Sequence, residues 1–109
     1  MANAIYDTFI VSVNISSSGD SVLVAGASGE TVYLMDLCLV VGGATTLTFK
    51  DGSTASSFGP FVFPGSGTFT LQNMGGIHKA YMRTSSGNNL VLNSSNSVQI
   101  SGVVRYRTA

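Results

Sequence analysis

Residues 31–41, TVYLMDLCLVV, are apolar at nearly every position, and no water-facing side can be drawn through the run. Hydrophobicity alone would permit a helix. Three features favour a strand instead: Val32, Val40 and Val41 are β-branched, Tyr33 is aromatic, and Gly42 and Gly43 end the run abruptly. At about 3.3 Å per residue the extended run spans roughly 36 Å, enough to cross a small domain and carry neighbours on both edges. Strict alternation puts Leu34, Cys38 and Val40 on one face and Tyr33, Met35, Leu37, Leu39 and Val41 on the other. Both faces are apolar, so one packs inward and either a second layer or a partner chain must cover the other.

The flanking segments alternate more cleanly. Residues 5–15 set Phe9, Val11, Val13 and Ile15 against Thr8, Ser12 and Asn14, so a strand is expected to begin near Tyr6. SSSGD at 16–20 is turn chemistry, and a second strand covers residues 22–25 and ends at Gly26. Residues 45–50 send Thr45, Leu47 and Phe49 inward and Thr46, Thr48 and Lys50 outward, and read as a hairpin neighbour of the central strand, closed by Asp51 and Gly52. GPFVFP at 59–64 places Phe61 and Phe63 on one face between two prolines, which confines it to an edge or a crossing loop. Further strands are expected within 67–72, 79–84, 90–92 and 98–106, with Gly102 marking a bulge in the last. No segment has the pattern of an amphipathic helix and no fixed repeat is present. The expectation is all-β: a jelly-roll-like β-sandwich of eight to nine short antiparallel strands, in a single domain over residues 1–109 with residues 1–7 as an N-terminal arm.

Composition narrows the function. Charged residues make up 9% of the 109, against about 25% in an ordinary domain, and the formal net charge is zero. The basic residues Lys50, Lys79, Arg83, Arg105 and Arg107 are scattered, which gives no long-range attraction to phosphate backbones or anionic lipid. Neither nucleic acid nor membrane is expected as a partner. Near-zero charge favours self-association. The central run is interrupted by Asp36 and is far short of the roughly 20 residues of a membrane span, and the N-terminus lacks the basic and apolar regions of a signal peptide. Synthesis in a cytoplasm without export by such a signal is the expectation.

Reactive groups are few. Cys38 is the single cysteine, which excludes an intrachain disulfide and a cysteine-built metal site and leaves a small core hydrophobe as its ordinary role. His78 is the single histidine, in an expected loop with no partner motif around it. Of the five acids, Asp7, Asp20, Glu30, Asp36 and Asp51, turn chemistry accounts for Asp20, Glu30 and Asp51. Asp36 interrupts the most apolar strand and must reach water, a hydrogen-bonding partner or an interface. An Asp satisfied at a bulge or by hydroxyls is its ordinary reading, and a metal or interface role its functional one. No glycine cluster opens a helix, so no phosphate cradle is expected. Phe58, Phe61 and Phe63 serve either as caps on the core or as anchors for a partner. Arg105 and Arg107, alternating with Tyr106, either protect an edge or pair with acids of a neighbouring subunit. The chain has no Trp, which weakens a lectin reading. No catalytic, cofactor-binding or metal residues are expected. The expected interface residues are Tyr33, Met35, Leu37, Phe58, Phe61, Phe63, Arg105 and Arg107.

The segments SSSGDSVLVAG, TVYLMDLCLVVGGATTLTFKDGSTA, GPFVFPGSGTFTL, SSGNNLVLN and SVQISGVVRYR, in this order, resemble small all-β proteins encoded among the virion genes of tailed bacteriophages. The resemblance covers residues 15–107 and is weakest over MGGIHKAYMRT at 74–84. It implies a jelly-roll or related sandwich acting as a capsid decoration, or cement, protein on the virion exterior. Such a protein is often trimeric and binds the major capsid protein. The family has no catalytic residues to carry over. The alternative it implies is a tail or fibre module, with the Ser/Asn-rich loops at 85–89 and 94–97 binding host-surface glycans. An enzyme with a hydroxyl or carboxylate nucleophile is the weakest of the three expectations.

Overall fold

The computed structural model describes residues 8–53, 55–72 and 79–109, with backbone alone for residues 55–57. The expected N-terminal arm at 1–7 and His78 lie outside the described residues. The alternating runs become strands: β1 (Phe9–Ile15), β2 (Gly19–Val24), β3 (Val32–Val41), β4 (Thr45–Asp51), β5 (Ala55–Phe63), β6 (Gly67–Leu71), β7 (Met82–Arg83), β8 (Leu90–Ser94) and β9 (Ile100–Thr108). No described residue is helical.

The strands lie in two antiparallel sheets. One runs β1-β9-β3-β6, with the two-residue β7 also on β3; the other runs β2-β8-β4-β5. The pairing is nested, first strand with last: β1 with β9, β2 with β8, β3 with β6, β4 with β5. That long ribbon is wrapped so that β9 also meets β3 and β8 also meets β4. This is the connectivity of a jelly roll.

Two expectations are corrected. β4 is not a hairpin neighbour of β3, because the chain changes sheets at Gly42 and Gly43. Gly42 still donates its N–H to the Gln99 carbonyl (2.7 Å), next to the last β3/β9 pair Val41↔Ile100, and the chain crosses to the other sheet after it. The bulge lies on β3 and not at Gly102: Leu34 faces Tyr106 and Asp36 faces Arg105, leaving Met35 as the extra residue, whereas Gly102 sits opposite Leu39 in unbroken register. The bulge reconciles the two halves of β3. Val32 and Leu34 point inward before it, and Leu37, Leu39 and Val41 point inward after it.

These side chains meet Leu47, Phe49, Leu90 and Leu92 of the other sheet in one core. Within it Thr45 and Ser94 are buried but share a hydrogen bond of 2.7 Å between their hydroxyls, so neither is left unsatisfied. The segment confined by its prolines is the edge strand β5, as position-specific constraints on Pro require. Its rings close one side of the sandwich. Phe61 lies 4.6 Å from Phe69 of β6 and 5.0 Å from Phe58, and Phe63 lies 5.8 Å from Phe69, centroid to centroid.

Candidate interaction surface

The outer face of the β1-β9-β3-β6 sheet is set by the same alternation that fills the core. β-Strand geometry turns each residue away from its two neighbours, so with Val104 and Leu37 inward, Val103, Arg105, Asp36 and Cys38 face out. Cross-strand register then arranges the face in rows. Ile10, Arg105 and Asp36 lie side by side; Ser12, Val103, Cys38 and Thr70 form the next row; Asn14, Ser101, Val40 and Thr68 form the third.

Three apolar side chains on this face are open to solvent: Ile10 (62% exposed), Val40 (54%) and Val103 (43%). Cys38 is exposed between them, and the Thr70 hydroxyl lies 3.8 Å from its sulfur. The expectation of Cys38 as a core residue is therefore corrected, since Leu37 and Leu39 take the inward positions on either side. The charges in these rows are Asp36 and Arg105, and they pair with each other, Oδ1 to Nε 3.6 Å. The puzzle of a carboxylate in the most apolar strand thus has a plain answer: Asp36 points outward and is met by the residue directly opposite on β9. A depression of about 360 Å³ lies on this face among Ile10, Asp36, Cys38, Thr70, Val103 and Arg105.

The eight expected interface residues separate into three groups. Tyr33 and Arg107 face outward as a stacked pair, with the guanidinium 3.8 Å from the ring centroid and Arg107 buried beside it; Arg105 faces outward on the Asp36 pair. Met35 and Leu37 are buried, Met35 at the bulge and Leu37 in the core, so the structure places neither at the surface. Phe58, Phe61 and Phe63 are half-buried and packed on the core, while the outward residue of that strand is Val62, 72% exposed. Sequence reasoning passed over Ile10, Val40, Val62 and Val103. Parity was an available signal for Ile10 and Val103, whose neighbours two away, Thr8 and Ser12 and then Ser101 and Arg105, are polar; Val40, between Cys38 and Gly42, and Val62, between Pro60 and Pro64, carry no such mark.

The Ser/Asn loops are largely committed to the fold. Ser85 and Asn88 hydrogen-bond the Asp51 carboxylate through the Ser85 N–H (2.9 Å), the Ser85 hydroxyl (2.7 Å) and Asn88 Nδ2 (3.0 Å). Asn89 Oδ1 accepts the Gly26 N–H (2.6 Å), and Ser95 Oγ accepts the Thr46 N–H (2.9 Å). Burial pushes the Asp51 pKa up, but the Ser85 and Asn88 hydrogen bonds outweigh it and hold the carboxyl below its ordinary range. Asp20, hydrogen-bonded by Asn93 and Lys50, is held below its ordinary range for the same reason. Among the described residues, no three His, Cys, Asp or Glu side chains come together as a metal-ligand set.

No family model matches the chain, and no curated protein matches it. Solved structures resemble it at low identity. One, from Bacillus endospore appendages, a family of disulfide-linked pili, is 12% identical, with 94% of this chain and 83% of that chain covered and a TM-score of 0.47. Another, from the virus-like particle of the extra small virus of the giant freshwater prawn Macrobrachium rosenbergii, is 13% identical, with 92% and 77% covered and a TM-score of 0.37. Neither is a tailed-phage protein.

Proposed function

We propose that this chain is a non-enzymatic structural protein of a virion, a capsid decoration (cement) protein that lies on the shell exterior and binds the major capsid protein as a homo-oligomer. The observation that carries the reading is the outer face of the β1-β9-β3-β6 sheet, where Ile10, Cys38, Val40 and Val103 are exposed among hydroxyl and amide side chains and the mutually paired Asp36 and Arg105. Covering each exposed apolar side chain contributes about 1 kcal/mol. Contacts made only in the assembled state shift the assembly equilibrium toward the shell, and several copies attached together raise the effective affinity without any reactive group.

The test uses purified chain added to shells that lack it, followed by sedimentation. The wild type co-sediments and raises the temperature at which the shells open. A Val40→Lys, Val103→Lys double variant keeps the melting temperature of the free protein and stays in the supernatant. Retention of the double variant at wild-type levels, or failure of the wild type to bind any shell, overturns the reading. Glycan binding by the free protein in place of shell binding would favour the tail or fibre alternative.

A further inference from the structure

An edge strand leaves every second N–H and C=O unpaired by its own sheet, and proteins ordinarily obstruct such edges. Among the described residues the outermost strands are β1 on one side and β6 with the two-residue β7 on the other side of one sheet, and β2 and β5 in the other. β5 carries Pro60 and breaks register with β4 at two places. β2 is bent by a register shift between Val22 and Val24 and carries Asp20, which is bound to Lys50. β6 has only five residues. β1 has none of these devices. Its seven residues, FIVSVNI, contain no Pro, Gly or charge, and they pair with β9 without a shift from Phe9↔Tyr106 to Ile15↔Ile100.

The two sides of the sandwich differ to match. The β5/β6 side is filled by the rings of Phe58, Phe61, Phe63 and Phe69. The β1/β2 side is an open groove of about 380 Å³, where Val11, Ile15 and Leu23 remain half-exposed.

We propose that the β1 edge pairs antiparallel with the β1 edge of a second copy, about a two-fold axis through Ser12. The sequence of the strand fits itself under that operation. On the inward side Phe9 comes opposite Ile15 of the partner subunit and Val11 opposite Val13 of the partner subunit. On the outward side Ile10 faces Asn14 of the partner subunit and the two Ser12 side chains face each other. Face is conserved at every position, so apolar meets apolar beneath the joined sheet, as register in a half-buried sheet demands. Residues 8–18 hold no charge, so the operation brings no like charges together across the axis. The product is a continuous sheet eight strands wide, β6-β3-β9-β1 joined to its copy with β7 of each subunit beside β6 on β3, and with the two outer faces in one surface. A two-fold contact of this kind is closed and isologous, and it builds even-numbered assemblies in place of the trimer implied by the resemblance. It stands independently of what the outer face binds.

Disulfide trapping in the Cys38→Ser background tests the axis. Facing residues of an antiparallel pair have Cα atoms about 4.5–5.5 Å apart, within disulfide range. Mild oxidation therefore traps a dimer with Ser12→Cys and none with Asn14→Cys, which faces Ile10 of the partner subunit. Sedimentation gives a second reading that does not depend on a bond: Ser12→Asp, at an exposed position, keeps the fold by circular dichroism but sets two carboxylates across the axis and weakens dimerisation about tenfold at low salt. A wild-type protein that is monomeric up to high micromolar concentration overturns the proposal. So does trapping of Asn14→Cys as readily as Ser12→Cys, or a Ser12→Asp protein that dimerises as tightly as the wild type.

Discussion

The carbonyl oxygen of Cys38 occupies the space into which a side chain on Gly102 would project. Gly102 has φ +143°, a conformation that L side chains rarely adopt, and the atoms around it are the backbone of Cys38 and Leu39 on the neighbouring strand. Both are fixed by the β3/β9 ladder. Gly102→Ala is expected to cost about 3 kcal/mol or more through strain and collision. Gly65→Ala, where an added Cβ meets nothing within 4 Å, is expected to change stability by no more than about 0.5 kcal/mol. Urea unfolding of both variants checks the pair, and equal midpoints would refute the account of Gly102.

The aromatic seam makes a separate prediction. Phe61 touches Phe58 and Phe69 and lies 6.5 Å from the buried Phe49. Phe61→Ala is expected to destabilise the fold by about 3 kcal/mol, since it removes a ring from the aromatic packing that joins the β5 and β6 edges. Val62→Lys, one residue away and pointing out, is expected to be neutral. Thermal melts distinguish the two roles: if Phe61 were a partner anchor and not a core cap, its removal would leave the melting temperature of the free protein unchanged.

The Asp36–Arg105 pair is half-exposed and contributes little to stability. Its separation is 3.6 Å, and its side chains are 31% and 48% exposed, so solvent screens the attraction. Asp36→Asn is expected to shift unfolding by less than about 0.5 kcal/mol. A loss of several kcal/mol in denaturant unfolding would show that the pair is supporting the Met35 bulge.

Acid should weaken the fold through Asp20 and Asp51. Each carboxyl has a folded pKa below its ordinary value, Asp20 through hydrogen bonds from Asn93 and Lys50, and Asp51 through those from Ser85 and Asn88 against the opposing effect of burial. The unfolded chain therefore takes up protons first as pH falls. The stabilisation is complete above the unfolded value, about 3.9, and is lost as pH drops through the folded values. The urea midpoint is expected to hold steady from neutral pH to about pH 5 and to fall below about pH 4. Asp51→Asn should remove part of that fall, and a wild-type midpoint unchanged at about pH 3 would contradict the assignment.

Strand positions were legible in the sequence because alternation is a local property of extended backbone. The inward sets Thr45, Leu47, Phe49 and Val11, Val13, Ile15 are as the pattern reads, and the prolines of GPFVFP mark an edge. The central strand was harder to read. Tyr33, Leu34, Met35 and Leu37 are all apolar, so nothing in their order marks Met35 as the residue where the phase slips. Reading straight through it put Leu34 on the face of Cys38 and Val40, and counted Met35 and Leu37 as surface. The 79–84 segment contributes only Met82 and Arg83 as a strand, paired with Leu34 and Tyr33 on the part of β3 that β6, on residues 37–41, leaves open.

By itself the sequence determined an all-β chain, the spacing of its turns, the poverty of its charge and the scarcity of reactive side chains, since these follow from residue types and period two. Only the tertiary structure decided that the first strand pairs with the last, that β3 and β4 belong to different sheets, and that Ile10, Cys38, Val40 and Val103 share one open face. Those outcomes depend on closure between residues some ninety positions apart and on a single inserted residue whose place is chosen by core packing, and neither leaves a mark within a local window.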